Sequence, residues 1–439
     1  MKKNIIIGVI ISSLMLFAGI GNFHAIASDE APYKQLKLFT EVIDMIEKNY
    51  VDHMETDKLI EEATKGMVKS LDPHSDLLTP EDLKQLSIST KGKFGGLGIV
   101  ITLKDELLTV ISPIEGTPAY KIGVKSNDII IKIDGNTTQG MSLSEAVSLL
   151  RGKKGTTVTI AVVREEATQP IEFTITRDII PIHSVKYATL QSGYGYVRIT
   201  NFQENTTLDT INALQKLNKE NNGLKGLLLD LRNNPGGLLE QSITVADIFL
   251  EKGKILTVKG RESTDQKVYT ANRSNNGDIQ AYPIIVLANG GSASASEIVA
   301  GALQDNKRAL ILGTRTFGKG SVQNVKRLNN GYALKLTIAK YYTPSGKSIQ
   351  AKGIEPDIEE AYKFLKEEEN PEENRIKEKD LVNHIEAEPA IKEEKQTKEE
   401  EHAYGELIIE NLLADSQVKR GLDLLVGYNR FIIERDKKE

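Results

Sequence analysis

Two unbroken apolar runs constrain this chain more than any other feature. Gly226-Leu227-Leu228-Leu229-Asp230-Leu231 and Pro283-Ile284-Ile285-Val286-Leu287-Ala288 show no polar alternation, so each predicts a strand covered on both faces. A glycine loop and a helical pattern follow each run. That order requires a sheet with helices on both sides, and residues 190–360 are read as an α/β core. At 439 residues the chain exceeds the ~250–300 at which one core stops growing, so further domains are expected around it.

With 39% hydrophobic and 27% charged residues, the composition is that of a globular protein and excludes a polytopic membrane protein. The formal net charge of −5 supplies no field that would draw nucleic acid, and none is expected as a partner. Cysteine is absent, which removes disulfides, thiolate metal sites and cysteine nucleophiles together. His24, His53, His74, His183, His384 and His402 are too scattered for a zinc helix. No metal and no cofactor are expected.

Residues 1–27 have the layout of an export signal: Lys2 and Lys3, an apolar run from Ile5 to Ile20, then Ala25-Ile26-Ala27 as a small-residue cleavage site. A retained anchor is the alternative, since the run is only a little shorter than a span of ~20 residues, and it would associate the protein with a membrane. Both place the rest of the chain in the periplasm or outside the cell. Residues 28–92 are predicted helical. Leu36, Phe39, Ile43, Ile46 and Tyr50 recur at spacings of 3, 4, 3 and 4, one apolar stripe that needs a partner within the chain or in a second copy. Thr79, Pro80 and Asp82 read as N-cap, N1 and N3 of a helix.

Residues 93–165 change to short Ile- and Val-rich strands with glycine turns around one helix, Ser142 to Leu150. The loop Phe94-Gly95-Gly96-Leu97-Gly98-Ile99 leads into a strand, where backbone amides can hold an anion and a free edge can accept an extended peptide; a plain turn is the alternative. Residues 166–360 are assigned to the core. From 361 to 403 acidic residues outnumber basic ones and apolar content is low, which predicts a solvated linker. Residues 404–439 return to helical periodicity with Val418, Leu422, Leu425 and Val426. This closing run is expected, like the first stripe, to lie outside the domains that bury themselves and to join an oligomer.

Chemistry is expected at three glycine loops of the core. Asn289-Gly290-Gly291-Ser292-Ala293-Ser294-Ala295-Ser296-Glu297 lies between a buried strand and a helix, the setting that holds a nucleophile at a helix N-terminus. Ser294 with Glu297 also fits a capping box, and that reading stays open. Thr316-Phe317-Gly318-Lys319-Gly320-Ser321-Val322-Gln323 offers Lys319 as a base if burial lowers its pKa, with Gln323 further along the strand able to hold the amine; His183 is the alternative base. Asp230 to Leu239 ends the first buried strand, where Gly237 can supply one oxyanion donor beside Ala295.

In this order, the segments resemble the carboxyl-terminal processing (tail-specific) proteases. The likeness covers about residues 30–430 and rests on Leu71-Asp72-Pro73-His74-Ser75, the Phe94 to Ile99 loop, Gly195 to Ile199, Asp230 to Leu239, Ser292 to Ile298, Thr316 to Gln323 and Gly353 to Asp357. It implies a ClpP/crotonase-like ββα catalytic core with an inserted PDZ domain and helical terminal segments. It further implies Ser294 as nucleophile, Lys319 as general base, Gln323 as its orienting residue, Gly237 with Ala295 as oxyanion hole, and Phe94 to Ile99 as the seat of a substrate C-terminus. In Gly123-Val124-Lys125-Ser126-Asn127-Asp128 this chain has Asn where the family usually has Gly; Asn127 tolerates the left-handed turn.

The resulting expectation is an exported serine endopeptidase that takes unfolded or flexible protein C-termini. It is expected to form a homo-oligomer, and an adaptor protein stays open as a further partner. A non-catalytic PDZ scaffold and a crotonase-like acyl-CoA enzyme are the rival readings. The intact serine, lysine and glutamine count against the first, and the PDZ segment has no role in the second.

Overall fold

The computed structural model describes residues 30–165, 167–262, 264–272, 282–365 and 407–436. The expected leader, 1–27, and most of the expected linker, 361–403, lie outside these residues. The chain divides into two compact units, 1–77 and 78–439.

In the first unit, α1 (Glu30–Asn49) and α2 (Thr56–Lys69) are joined by a bond from Thr56 Oγ1 to Glu47 Oε2, 2.7 Å. Asp72 organises the turn after α2, its carboxylate accepting from the amides of His74 and Ser75 and from Ser75 Oγ. Of the sequence-predicted stripe, Leu36, Phe39 and Tyr50 remain 61%, 41% and 58% exposed.

The short strand β1 (Asp76–Leu78) precedes α3 (Pro80–Lys91), whose cap follows the sequence: Thr79 Oγ1 accepts from Asp82 N, and Asp82 Oδ2 accepts from Thr79 N. β2 (Lys93–Gly96) then enters the inserted domain. That domain holds β3 (Ile99–Lys104), β4 (Leu107–Pro113), α4 (Pro118–Ile122), β5 (Ile129–Ile133), β6 (Asn136–Thr137), α5 (Leu143–Leu150), β7 (Thr157–Val163) and β8 (Ile171–Thr176). Its sheet runs β3-β4-β5-β7-β8, with β6 on β5. β9 (Asp178–Pro181) closes the neck by pairing antiparallel with β2, Phe94 opposite Ile180. Part of the predicted Phe94 to Ile99 loop is therefore strand, and the sheet runs past residue 165 to Thr176 because Thr157–Val163 needs a partner on its outer edge. Asn127 takes φ 66°, and Asp134 and Gly135 take φ 47° and 80°, the two left-handed residues a tight hairpin requires.

The core contains β10 (Val185–Gln191), β11 (Tyr194–Ile199), α6 (Thr206–Glu220), β12 (Gly226–Asp230), α7 (Leu239–Phe249), β13 (Lys254–Lys259), β14 (Gln266–Thr270), β15 (Ile284–Ala288), α8 (Ala295–Asp305), β16 (Ala309–Gly313), β17 (Ser321–Arg327), β18 (Ala333–Tyr342) and β19 (Ile358–Glu359). Strands β10-β11-β12-β15-β16-β19 form one sheet, antiparallel at β10/β11 and parallel elsewhere. β18 pairs with both β13 and β17 in a second sheet. The two apolar runs are the sheet's centre. Leu227, Leu229 and Val286 face α6, α7 and α8, whereas Leu228, Ile285 and Leu287 face the chain's last helices, α9 (Ile409–Leu413) and α10 (Ser416–Asp436).

That last packing corrects the expectation for the closing run. Val418, Leu422 and Leu425 are 0%, 5% and 1% exposed against Leu228 and Leu287 of the same chain. A parallel sheet needs cover on both faces, and the C-terminal helix supplies the second cover.

Candidate active site

The loop between β15 and α8 is held by two of its three serines. Ser292 Oγ donates to the carbonyl of Leu231, 2.8 Å, and accepts from Asn289 N; Ser296 Oγ donates to the carbonyl of Asn234, 2.9 Å. Both side chains are buried and engaged with backbone. Ser294 differs. It caps α8 with φ 56° and ψ −111°, a conformation L-residues adopt at a cost of roughly 1–3 kcal/mol, and its side chain is half-buried.

The Asp230 to Leu239 loop approaches from the neighbouring strand. A Cβ on Gly236 would fall 2.8 Å from Ser294 Cβ, and one on Gly237 would fall 2.2 Å from the carbonyl oxygen of Phe202. These contacts, at φ 108° and 142°, admit only glycine. Phe202 and Gly237 form a parallel bridge in which Phe202 N donates to Gly236 O and Leu238 N donates to Phe202 O, leaving Gly237 N out of the pairing. Among the described residues neither Gly237 N nor Ala295 N donates to another backbone group. Two such amides flanking a serine are what an oxyanion hole is made from.

Glu297 ties this loop to the lysine loop. Its carboxylate is fully buried and accepts four bonds: Oε1 from Thr316 Oγ1 (2.6 Å) and Gly318 N (2.7 Å), Oε2 from Ser294 N (2.8 Å) and Lys319 N (2.9 Å). The capping-box reading is thus half realised, through the carboxylate on Ser294 N. Its larger role, joining the segments of Ser294 and Lys319, has no sequence signal because the second loop lies about 20 residues downstream. Tyr341 joins the same segments from the other side. Its hydroxyl lies 3.1 Å from Ser294 Oγ and also bonds the Lys319 carbonyl.

Lys319 is half-buried, its peptide held at the N–H by Glu297 and at the carbonyl by Tyr341. The amide nitrogen of Gln323 donates to Ser321 Oγ (2.9 Å) and Thr337 Oγ1 (3.3 Å). His183 is exposed in the segment before β10.

At the carboxyl end of β12 lies a buried charge cluster that sequence reasoning missed. Asp230 accepts from Tyr196 Oη (2.6 Å) and from Arg232 N, Nε and Nη2, while Arg232 Nη1 pairs with Asp415 Oδ2 and donates to Gln417 Oε1, both at 2.8 Å. Burial by itself would raise the Asp230 pKa; the Arg232 guanidinium outweighs it and holds the carboxyl below its ordinary value. Burial, joined by the Asp230 charge, pushes the Tyr196 phenol up.

In the inserted domain, Phe94, Gly96, Leu97, Gly98 and Ile99 line one side of a groove of about 80 Å³, with Val147, Leu150 and Arg151 across it. The Arg151 guanidinium sits 4.5 Å from the centre of the Phe94 ring. Gly95 is the exception in its loop, turned toward the Gly152 turn with its carbonyl accepting from Gly152 N. The amides of Leu97 and Gly98 have no backbone acceptor among the described residues.

A match to peptidase family S41 covers residues 193–360, which contain all three glycine loops of the core. A PDZ domain matches residues 109–164, and the N-terminal domain of the activating protease CtpB matches residues 21–81. A carboxy-terminal-processing protease of Bartonella bacilliformis is 48% identical over 75% of this chain and 76% of its own length. The chain belongs to peptidase family S41. It is a serine-type, carboxy-terminal-processing peptidase with a PDZ domain inserted ahead of its catalytic core. The carboxy-terminal processing protease CtpA of Bacillus subtilis is 37% identical over 81% of this chain and 75% of its own. A photosystem II D1 C-terminal processing protease of known structure shares 33% identity over 74% of this chain and 92% of its own, with a TM-score of 0.43.

Proposed function

We propose that the chain is an exported endopeptidase that seats a protein's free C-terminus in its PDZ groove and cuts upstream through a Ser294–Lys319 dyad. Ser294 attacks the scissile carbonyl, Lys319 takes its proton, Gln323 orients the lysine, and Gly237 N with Ala295 N receives the oxyanion. One observation carries the assignment. Of the three serines in the loop, only Ser294 has a hydroxyl not committed to a backbone carbonyl, and it stands beside two unengaged amides. Lys319 serves as base when neutral, and the flanking Gly318 and Gly320 let other groups pack close around it.

In the groove, the Leu97 and Gly98 amides meet the terminal carboxylate while β3 pairs with the peptide. Such a site suits unfolded or flexible tails. The exposed α1 stripe favours a homo-oligomer, and the likeness of residues 21–81 to an activating-protease domain favours an adaptor partner. Export places the enzyme in the periplasm or outside the cell, with a retained leader as an optional membrane tether. Incubating wild type and Ser294→Ala with a casein-like substrate tests the reading; equal degradation by both would end it.

A further inference from the structure

We propose that Tyr341 is a further catalytic residue, whose buried phenol fixes the position of the Ser294 hydroxyl and ties it to the backbone of Lys319. The proposal deepens, and rests on, the reading of Ser294 as nucleophile.

Tyr341 is 1% exposed near the end of β18, where its N–H donates to Gly320 O at 3.0 Å. The strand therefore delivers the ring directly beside the Lys319 loop. Its oxygen lies 3.1 Å from Ser294 Oγ and bonds the Lys319 carbonyl. The phenol's one proton lies between two acceptors, the Lys319 carbonyl and Ser294 Oγ, so the serine's own proton stays free to pass to Lys319. Burial pushes the phenol's pKa up, and despite the opposing bond to Ser294 it stays neutral near pH 7.

Lys319 is in this way gripped at both ends of its peptide. Glu297 binds Lys319 N and Ser294 N, while Tyr341 binds Lys319 O and Ser294 Oγ. The carboxylate sets the two backbones in register, and the phenol sets the rotamer of the attacking atom. A serine hydroxyl without that second hold samples other staggered positions, and a misplacement of about 1 Å can cost ~100-fold in rate.

The test is Tyr341→Phe, which keeps the ring in the core and removes only the hydroxyl. The full chain is labelled with a small fluorophosphonate, the modified residue is located by mass spectrometry, and peptide hydrolysis is measured alongside. Labelling of Ser294 and kcat should both fall about 10- to 100-fold, with KM unchanged within about twofold. A purely structural tyrosine would instead lower the melting temperature and leave the labelling rate of the folded protein unchanged. Labelling and kcat within about twofold of wild type overturn the proposal. A label on a serine other than Ser294 in the wild type overturns the nucleophile reading, and the proposal with it. Should Tyr341→Phe fail to fold, 3-fluorotyrosine at position 341 keeps ring and hydroxyl while changing the phenol's acidity; an unchanged labelling rate would then count against the role, and a changed one for it.

Discussion

Asp415 Oδ2 and Arg232 Nη1 form a 2.8 Å ion pair that fastens the turn ahead of the last helix to the loop carrying Gly237. Arg232 is 6% exposed, and its remaining donors go to Asp230 and Gln417. The C-terminal segment thus covers the sheet and also secures one wall of the candidate active site. Breaking one partner from a buried pair costs about 3–5 kcal/mol, less where the remaining charge keeps other partners as Arg232 does. Asp415→Ala should therefore lower the urea midpoint and reduce kcat together. Unchanged values of both would show that the pair fastens nothing.

Asp230 makes the fold acid-sensitive with a definite sign. Its carboxyl is held below its ordinary value, so the unfolded chain binds the proton first as pH falls. The stabilisation is complete above the unfolded pKa, about 3.9, and is lost as pH falls through the lower folded value. Urea unfolding between pH 6 and the lowest accessible pH, roughly 2, should show this loss in the wild type and a shallower slope in Asp230→Asn. Parallel slopes would remove Asp230 as the cause.

Ser292→Ala and Ser296→Ala should each lose about 0.5–1.5 kcal/mol of stability, because each removes one hydrogen bond from a buried carbonyl, Leu231 O or Asn234 O, that keeps a second donor in Asn234 N or Ala293 N. Both should keep a reduced but measurable rate. Ser294→Ala should be stable and lose several orders of magnitude. Activity in Ser294→Ala close to that of the other two would break the assignment.

How much of this was legible in advance follows the range of the interactions. The two buried strands, the cap at Thr79, the helix ending at Leu150 and the left-handed Asn127 depend on neighbours in sequence, and the structure has each of them. The capping-box pattern of Ser294 and Glu297 was visible for the same reason. The four-way grip of Glu297, the phenol of Tyr341 and the Arg232–Asp415 pair were not, because each links segments that only the folded sheet brings together. The closing run was misplaced for a related reason: helical periodicity shows that a face needs cover but cannot show which surface provides it.

Lys319→Arg should be nearly as inactive as Lys319→Ala. Guanidinium keeps the charge but, with a pKa above ~12, cannot accept the serine proton near neutrality. A rate that stays high in the Arg variant would make Lys319 electrostatic or structural and pass the base to His183. The basic side of the pH–rate profile should persist in His183→Ala.

Binding at the PDZ groove should depend on the terminal charge of the peptide. Ser294→Ala full-length protein lets a peptide bind without being cut, so acid and amide forms of one sequence can be compared on the same groove. Hydrogen bonds to a charged group contribute about 1.5–3 kcal/mol, so amidation should weaken binding roughly 10- to 100-fold. The Leu97 and Gly98 amides can still bond a carboxamide oxygen, but without the charge the bond is weaker. Gly98→Ala should weaken the acid form as well, since Gly98 has φ 79° and a Cβ there would fall 2.2 Å from Thr117 Cβ, forcing the loop to shift. Calorimetry on the four combinations of protein and peptide separates the two contributions: equal affinity for acid and amide would eliminate carboxylate recognition, whereas a Gly98→Ala protein that still discriminated fully between them would move the carboxylate site away from the Leu97–Gly98 turn.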